Sequence, residues 1–247
     1  MLRALIAIGV LCFSTMAAAV ETWKVSSLDW PPFSGKDLPE GGVGIAVLRA
    51  ALKAEAIGLD VRFFPWTRAI QSAKNPSYAG FYPVWPEDVQ RGFSSSQVFF
   101  KSPVGFVEPV TRPLVWNNLR DLEGKTIGTV QDYGNTPEFM RLVQDGVIKT
   151  EIVLDDLTNI RKVAGGRIDA AFIDLHNLAY YLKHDARDLA PRVQANSTVI
   201  DDKFLVFAVN ANFTNDQAVE ILNRGLSKID SEQIINDYFE KYGYIRQ

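Results

Sequence analysis

Apolar and polar positions along the chain alternate between short β-like runs and helix-like runs, a rhythm that predicts α/β architecture. Trp23 to Leu28 reads as a first strand, closed by the rigid loop Asp29-Trp30-Pro31-Pro32-Phe33. Ile45 to Ile57 carries Ile45, Val47, Leu48, Ala51 and Leu52 at helical spacing, with Gly58 as its stop. Asp60 to Phe64 is a second strand, Trp66 to Ala73 a short helix broken by Asn75-Pro76, and Ala79 to Val84 a third strand. Val98 to Val107 holds a fourth, interrupted near Pro103.

Glu108 to Pro113 reads as a linker, and the same rhythm restarts after it. Lys125 to Val130 is a strand. Thr136 caps the next helix with Pro137 at its first position. Ile152 to Leu154 is a strand, Asp155 or Asp156 caps a helix that stops at Gly165-Gly166, and Ile168 to Ile173 is an apolar strand before a helix from Leu175 to His184. Phe204 to Asn210 is a last strand. Helices over Asp216 to Ile229 and Glu232 to Tyr242 close the chain, and Thr214 with Gln217 has capping-box spacing. Two similar units joined by a linker imply two lobes with a cleft. Sites in such sheets lie outside the carboxyl ends of strands, which selects Asp29-Trp30, Tyr82 to Trp85, Gln131 to Thr136, and Asp174.

The N-terminus adds an address. Arg3 is followed by the apolar run Ala4 to Phe13 and the small residues Ala17-Ala18-Ala19, the three parts of a secretory signal. Cleavage is expected after Ala19. Cys12 follows Leu11, which argues against lipidation, and it is the only cysteine, so residues 20–247 can form no disulfide. The product is expected to be exported, periplasmic and free of membrane insertion. The chain has 26 basic and 29 acidic residues, and losing Arg3 leaves a balance of −4. A mildly acidic chain without a basic cluster excludes nucleic acid as the expected partner. His176 and His184, the only histidines, lie about 80° apart around a helix, so no shared metal is expected. No cofactor or hydrolase motif is present, so neither a cofactor nor a catalytic residue is assigned. Asp155-Asp156 reads as a helix cap rather than a catalytic pair.

Four stretches carry a resemblance: Trp30-Pro31-Pro32-Phe33, the R-x-x-S…S-P run from Arg91 to Pro103, Asp121 to Gly128, and Gly166 to Asp174. In this order the chain resembles bacterial extracellular solute-binding protein family 3, the periplasmic polar amino-acid-binding component of ABC importers. The resemblance implies a two-lobed, type II periplasmic-binding-protein-like fold with a hinge. It places lobe 1 at residues 20–108, lobe 2 at 109–203 and a return to lobe 1 at 204–247, with hinge crossings near Val107 to Pro113 and Thr198 to Lys203. A monomer that hands its solute to a membrane permease is the implied mode of action.

By the same resemblance, Trp30 is an aromatic platform for the ligand, Arg91 grips its carboxylate, Asn135 and Thr136 offer a helix N-terminus to that carboxylate, and Asp174 accepts an α-ammonium. Each has a plainer reading: a core tryptophan, a solvated arginine, an ordinary helix start, and an N-cap. Pro83-Val84-Trp85-Pro86 departs from the family's Ser/Thr-rich stretch. Proline has no N–H to donate, and Trp85 brings bulk to the cleft. Asp132 and Tyr133 lengthen a second loop, and Trp66 and Arg68 open a helix that faces either the cleft or the core. The alternatives are an enzyme of the cyclohexadienyl dehydratase kind and a sensor module for a membrane receptor.

Overall fold

The computed structural model describes residues 21–244, so the expected export signal at 1–19 lies outside the described residues. The chain runs through β1 (Thr22–Ser27), α1 (Val43–Lys53), β2 (Gly58–Phe63), α2 (Trp66–Ala73), β3 (Gly80–Val84), β4 (Phe93–Ser95) and β5 (Phe100–Pro109). It continues with β6 (Thr126–Val130), α3 (Pro137–Gln144), β7 (Lys149–Val153), α4 (Asp156–Ala164), β8 (Ala170–Asp174) and α5 (Leu175–Lys183). β9 (Val193–Ala195), β10 (Asp201–Asn210), α6 (Ala218–Ser227) and α7 (Ser231–Tyr242) complete it. Among the described residues no helix is long and apolar enough to cross a membrane.

The strands hydrogen-bond in the order β2-β1-β3-β10-β5-β8-β6-β7, with β4 added to β10 and β9 to β5. β1 runs parallel to both β2 and β3, and β6 runs parallel to both β7 and β8. Parallel neighbours need a crossover, which α1 and α2 supply in the first unit and α3 and α4 in the second. Within the sheet the two units are joined through antiparallel strands. Asp201–Leu205 of β10 pairs with Phe100–Val104 of β5, whereas Val206, Ala208 and Val209 pair with β3. One strand therefore belongs to both units, and the α/β fold is two-lobed with its connections at β5 and β10.

Local sequence explains the helix starts. The Thr136 hydroxyl accepts the Phe139 N–H, with Pro137 at the first helical position. Asp155 accepts from the Thr158 N–H at 2.7 Å, and Asp174 from the Asn177 N–H at 2.9 Å. The box expected at Thr214 and Gln217 does not form. Asn215 accepts the Gln217 N–H at 3.1 Å, and this local side-chain turn delays α6 to Ala218. Pro103 does not interrupt its strand: it sits opposite Asp202 within the β5–β10 pair. Glu108 and Pro109, at the start of the expected linker, are paired with β9.

The core forms along the sheet faces. Trp23, Val25, Val47, Leu48 and Leu52 are buried beneath α6 and α7. Gly225 of α6 is needed there, since a Cβ would stand 2.3 Å from the Ala51 carbonyl oxygen. Arg224 and Lys228 fasten the same contact, reaching Glu55 at 2.6 and 2.7 Å. A separate cluster of Ile160, Val163, Ile168, Ile173 and Leu178 fills the second lobe.

Candidate functional site

A cavity of about 250 Å³ lies where the loops at the carboxyl ends of β1, β3, β6 and β8 converge. The loop after β1 contributes Trp30. Its backbone closes on Ser34 through two hydrogen bonds of 2.8 and 3.1 Å, which fixes where the indole can go. The ring stacks on Phe33 with centroids 4.7 Å apart and is 7% exposed. Its indole N–H donates to Asp156 Oδ2 at 3.1 Å.

Trp66, at the start of α2, donates its indole N–H to the Asp132 carbonyl at 2.9 Å. The Thr67 hydroxyl donates to the Asp132 carboxylate. Asp132 holds this position with a left-handed backbone, φ 60°. Between the two tryptophans sits Tyr133, edge-on to Trp30 at 6.3 Å and to Trp66 at 6.4 Å. First-lobe side chains thus grip a second-lobe loop. Asn177 Nδ2 of the second lobe crosses in the other sense, donating to the Pro31 carbonyl of the first at 2.7 Å.

Trp85, after β3, donates its indole N–H to Ser102 Oγ at 3.0 Å, and Ser102 donates in turn to Asp174 Oδ2 at 2.6 Å. The Lys203 ammonium lies 5.6 Å from the Trp85 ring centre but does not line the cavity, and Glu87 and Asp201 neutralise it. Gly134 gives the loop room. A Cβ there would stand 1.8 Å from Asp88 Oδ2 and 2.9 Å from Trp85 Cε3.

Among the described residues, four acidic side chains line the cavity, those of Asp88, Asp132, Asp156 and Asp174, and no lysine, arginine or histidine does. Asp156 and Asp174 are each 3% exposed. Burial raises the Asp156 carboxyl to about 7, opposed by the Trp30 hydrogen bond and reinforced by the charges of Asp174 and Asp155. Burial likewise raises Asp174 to about 7, against the bonds from Ser102 and the Asn177 and His176 backbones. Asp88 is raised by burial and by Glu87, with Lys203 pulling the other way. The Tyr133 hydroxyl is pushed well up by burial and by Asp156. Among the described residues no group of three or more His, Cys, Asp or Glu is placed to hold a metal ion.

Of the residues read from the sequence, Trp30, Trp85, Asn135 and Asp174 line this cavity. Thr136 does not: its hydroxyl oxygen accepts the Phe139 N–H as the cap of α3. Arg91 is exposed and outside the lining, and its neighbour Gln90 is inside it. Arg68 lies over the Phe64 ring, 5.3 Å from its centre, and also stays out. Asp156 and Asp88 were not singled out as ligand groups. The doublet Asp155-Asp156 did carry a signal, because one aspartate caps α4 and the other is left over.

Solved structures share this architecture. An ancestral arginine-binding protein bound to arginine superposes with a TM-score of 0.72 at 18% identity, covering 90% of this chain and 97% of that one. A histidine kinase sensor domain with similarity to periplasmic binding proteins gives 0.74 at 16%, covering 92% and 98%. The amino acid ABC transporter substrate-binding protein AbpA from Streptococcus pneumoniae, bound to L-arginine, gives 0.70 at 13%, covering 89% and 94%. No protein-family model matches the chain. No curated protein matches it. At such identities the likeness establishes the fold.

Proposed function

We propose that the chain is a divergent member of extracellular solute-binding protein family 3, a periplasmic receptor that captures a small polar solute between its lobes. The observation that carries this reading is the cavity itself. It lies at the strand ends where open α/β sheets bind ligands, and it is enclosed by bonds from one lobe to the other, with Trp30 on Asp156 and Trp66 on Asp132. The β5–β10 pair serves as hinge, and a bound solute lowers the free energy of the closed form. Delivery by a monomer to the permease of an ABC importer is the proposed mode of action. The likeness to a histidine kinase sensor domain supports a second mode, presentation to a membrane receptor. Loss of uptake in a deletion strain supports delivery. Intact uptake with a lost transcriptional response supports sensing.

Binding is favoured over catalysis by the charge of the site. A dehydratase of the cyclohexadienyl kind takes prephenate, a dianion, and four carboxylates without a facing cation oppose such a substrate. Turnover of prephenate by the purified chain would overturn this part of the reading. The binding claim is tested by intrinsic fluorescence, since three of the five tryptophans line the cavity. Saturable quenching by a small solute at one site per chain is expected. No response across polar amino acids, amines and organic acids would sink it.

A further inference from the structure

We propose that the solute is a small organic cation that carries no carboxylate group. The inference rests on the solute-binding reading above and goes further by naming the chemical class that the cavity admits.

An α-amino acid needs two opposed partners, a donor set for its carboxylate and an acceptor for its ammonium. Of charged groups, the cavity supplies only the second. Among the described residues no lysine, arginine or histidine lines it, Arg91 is exposed elsewhere, and Lys203 is already paired with Glu87 and Asp201. Backbone donors at helix starts are the usual substitute for a cation. Three second-lobe helices start near the cavity, and each has first-turn N–H groups already taken by its own cap. In α3, Pro137 has no N–H and the Phe139 N–H is taken by Thr136. In α4, Asp155 accepts the Thr158 N–H and Asp156 stands in the first turn. In α5, Asp174 takes the Asn177 N–H. Several side-chain donors are spent as well, and those that remain in the lining, on Gln90 and Tyr133, are uncharged. The indoles of Trp30, Trp66 and Trp85 donate to Asp156, the Asp132 carbonyl and Ser102, and the Ser102 hydroxyl donates to Asp174. An arriving carboxylate would meet four acidic side chains and no cation among the described residues.

A cation meets the reverse. Asp156 and Asp174 are buried carboxyl groups without a positive partner among the described residues, so their ionisation is costly until a ligand charge compensates it. Asp88 and Asp132 add negative potential at the same wall. Trp30, Tyr133, Trp66 and Trp85 supply aromatic area that attracts a cation without desolvating a hydrogen-bonding group. The cavity of about 250 Å³ lies below the range of about 300–1,000 Å³ usual for drug-sized ligands, so the cation is small.

The test uses pairs of probes in which the carboxylate is either absent or replaced by a neutral hydroxymethyl group: choline (the hydroxymethyl case) against glycine betaine, agmatine against arginine, and 1,5-diaminopentane against lysine, each titrated into the purified chain by calorimetry. In every pair that binds, the carboxylate-free member is expected to bind at least tenfold tighter. Asp156→Asn and Asp174→Asn are each expected to weaken that binding at least tenfold. Both are near-isosteric, and circular dichroism melts verify that each variant is folded. Choline against the primary amines tells a quaternary head from one that donates N–H. Equal or tighter binding of the carboxylate-bearing members overturns the cation assignment while leaving solute capture standing. Unchanged affinity in both folded Asn variants overturns it too. Silence from all six probes overturns the assignment, and solute capture stands or falls separately on the fluorescence screen.

Discussion

At the scale of single residues, the site turns on where charge is buried without a partner. Asp156 is faced by Asp155, Asp174, the phenols of Tyr133 and Tyr181, and the Trp30 indole; Asp174 is faced by Ser102, Asn177 and the Tyr82 phenol. None of these is a cation. Both carboxyls are raised from 3.8 to about 7, so between these values the folded protein holds protons that the unfolded chain has lost. Stability then falls as pH rises through that window and levels off above it. The ligand-free protein is expected to melt lower at pH 8 than at pH 5.5, and Asp156→Asn to flatten the slope. Comparing the two proteins cancels the opposite contribution of His184, whose imidazole is lowered from 6.5 by burial and by the charges of Arg187 and Lys183. A wild-type melting temperature no lower at pH 8, or a variant slope as steep as the wild type's, would show that Asp156 is not protonated in the empty cavity. Arg91→Ala is expected to leave solute affinity within twofold by calorimetry, because the side chain is exposed outside the lining. A tenfold loss would return Arg91 to the site. The sequence placed Trp30, Trp85 and Asp174 at the cleft because strand ends are readable from alternation. It did not reveal the pairing of Trp30 with Asp156, whose partners are 126 positions apart and meet only through tertiary packing.

At the scale of elements, most strands and helices were legible because their apolar period is long and their ends carry capping residues. β4 and β9 were not, being three residues each, too short to show a period. Pro103 misled in a different way. Proline weakens the expectation of a strand, yet β5 accommodates it opposite Asp202. Caps and ligand contacts also compete for the same side chains, and the structure separates them. Thr136 is a cap outside the cavity, so Thr136→Ala is expected to cost about 1 kcal/mol, lowering the melting temperature by about 2–4 °C with affinity unchanged. Calorimetry showing a weakened affinity with an unchanged melt would make the hydroxyl a ligand contact instead. Gly134→Ala belongs to the opposite class. Its Cβ would displace Asp88 or the Trp85 ring, so affinity is expected to fall more than tenfold. Retained affinity would mean that the loop yields without moving either side chain.

At the scale of the whole molecule, the same charges govern closure. The lobes are joined through β5 and β10 and held together across the cleft by Trp30 on Asp156, Trp66 on Asp132 and Asn177 on Pro31. Closing an empty cleft gathers four carboxylates and removes two of them almost wholly from water. When Asp156 and Asp174 carry protons, the Trp30 and Asn177 bonds meet little opposition. When both are ionised, opening returns the charges to water and separates Asp156 in one lobe from the Trp30 side of the cleft. Ligand-free protein is therefore expected to expand as pH rises through about 7, the value to which both carboxyls are raised. A bound cation neutralises the cleft and closes it at either pH, a shift of population toward a state that already exists. Small-angle X-ray scattering reads this directly: a larger radius of gyration at pH 8 than at pH 5.5 without solute, and one compact value at both with it. Trp30→Phe removes the bond to Asp156 and should enlarge the ligand-free form at pH 5.5 as well. A radius that ignores pH, solute and this substitution would mean that the lobes do not move, and that the cleft fills without a hinge.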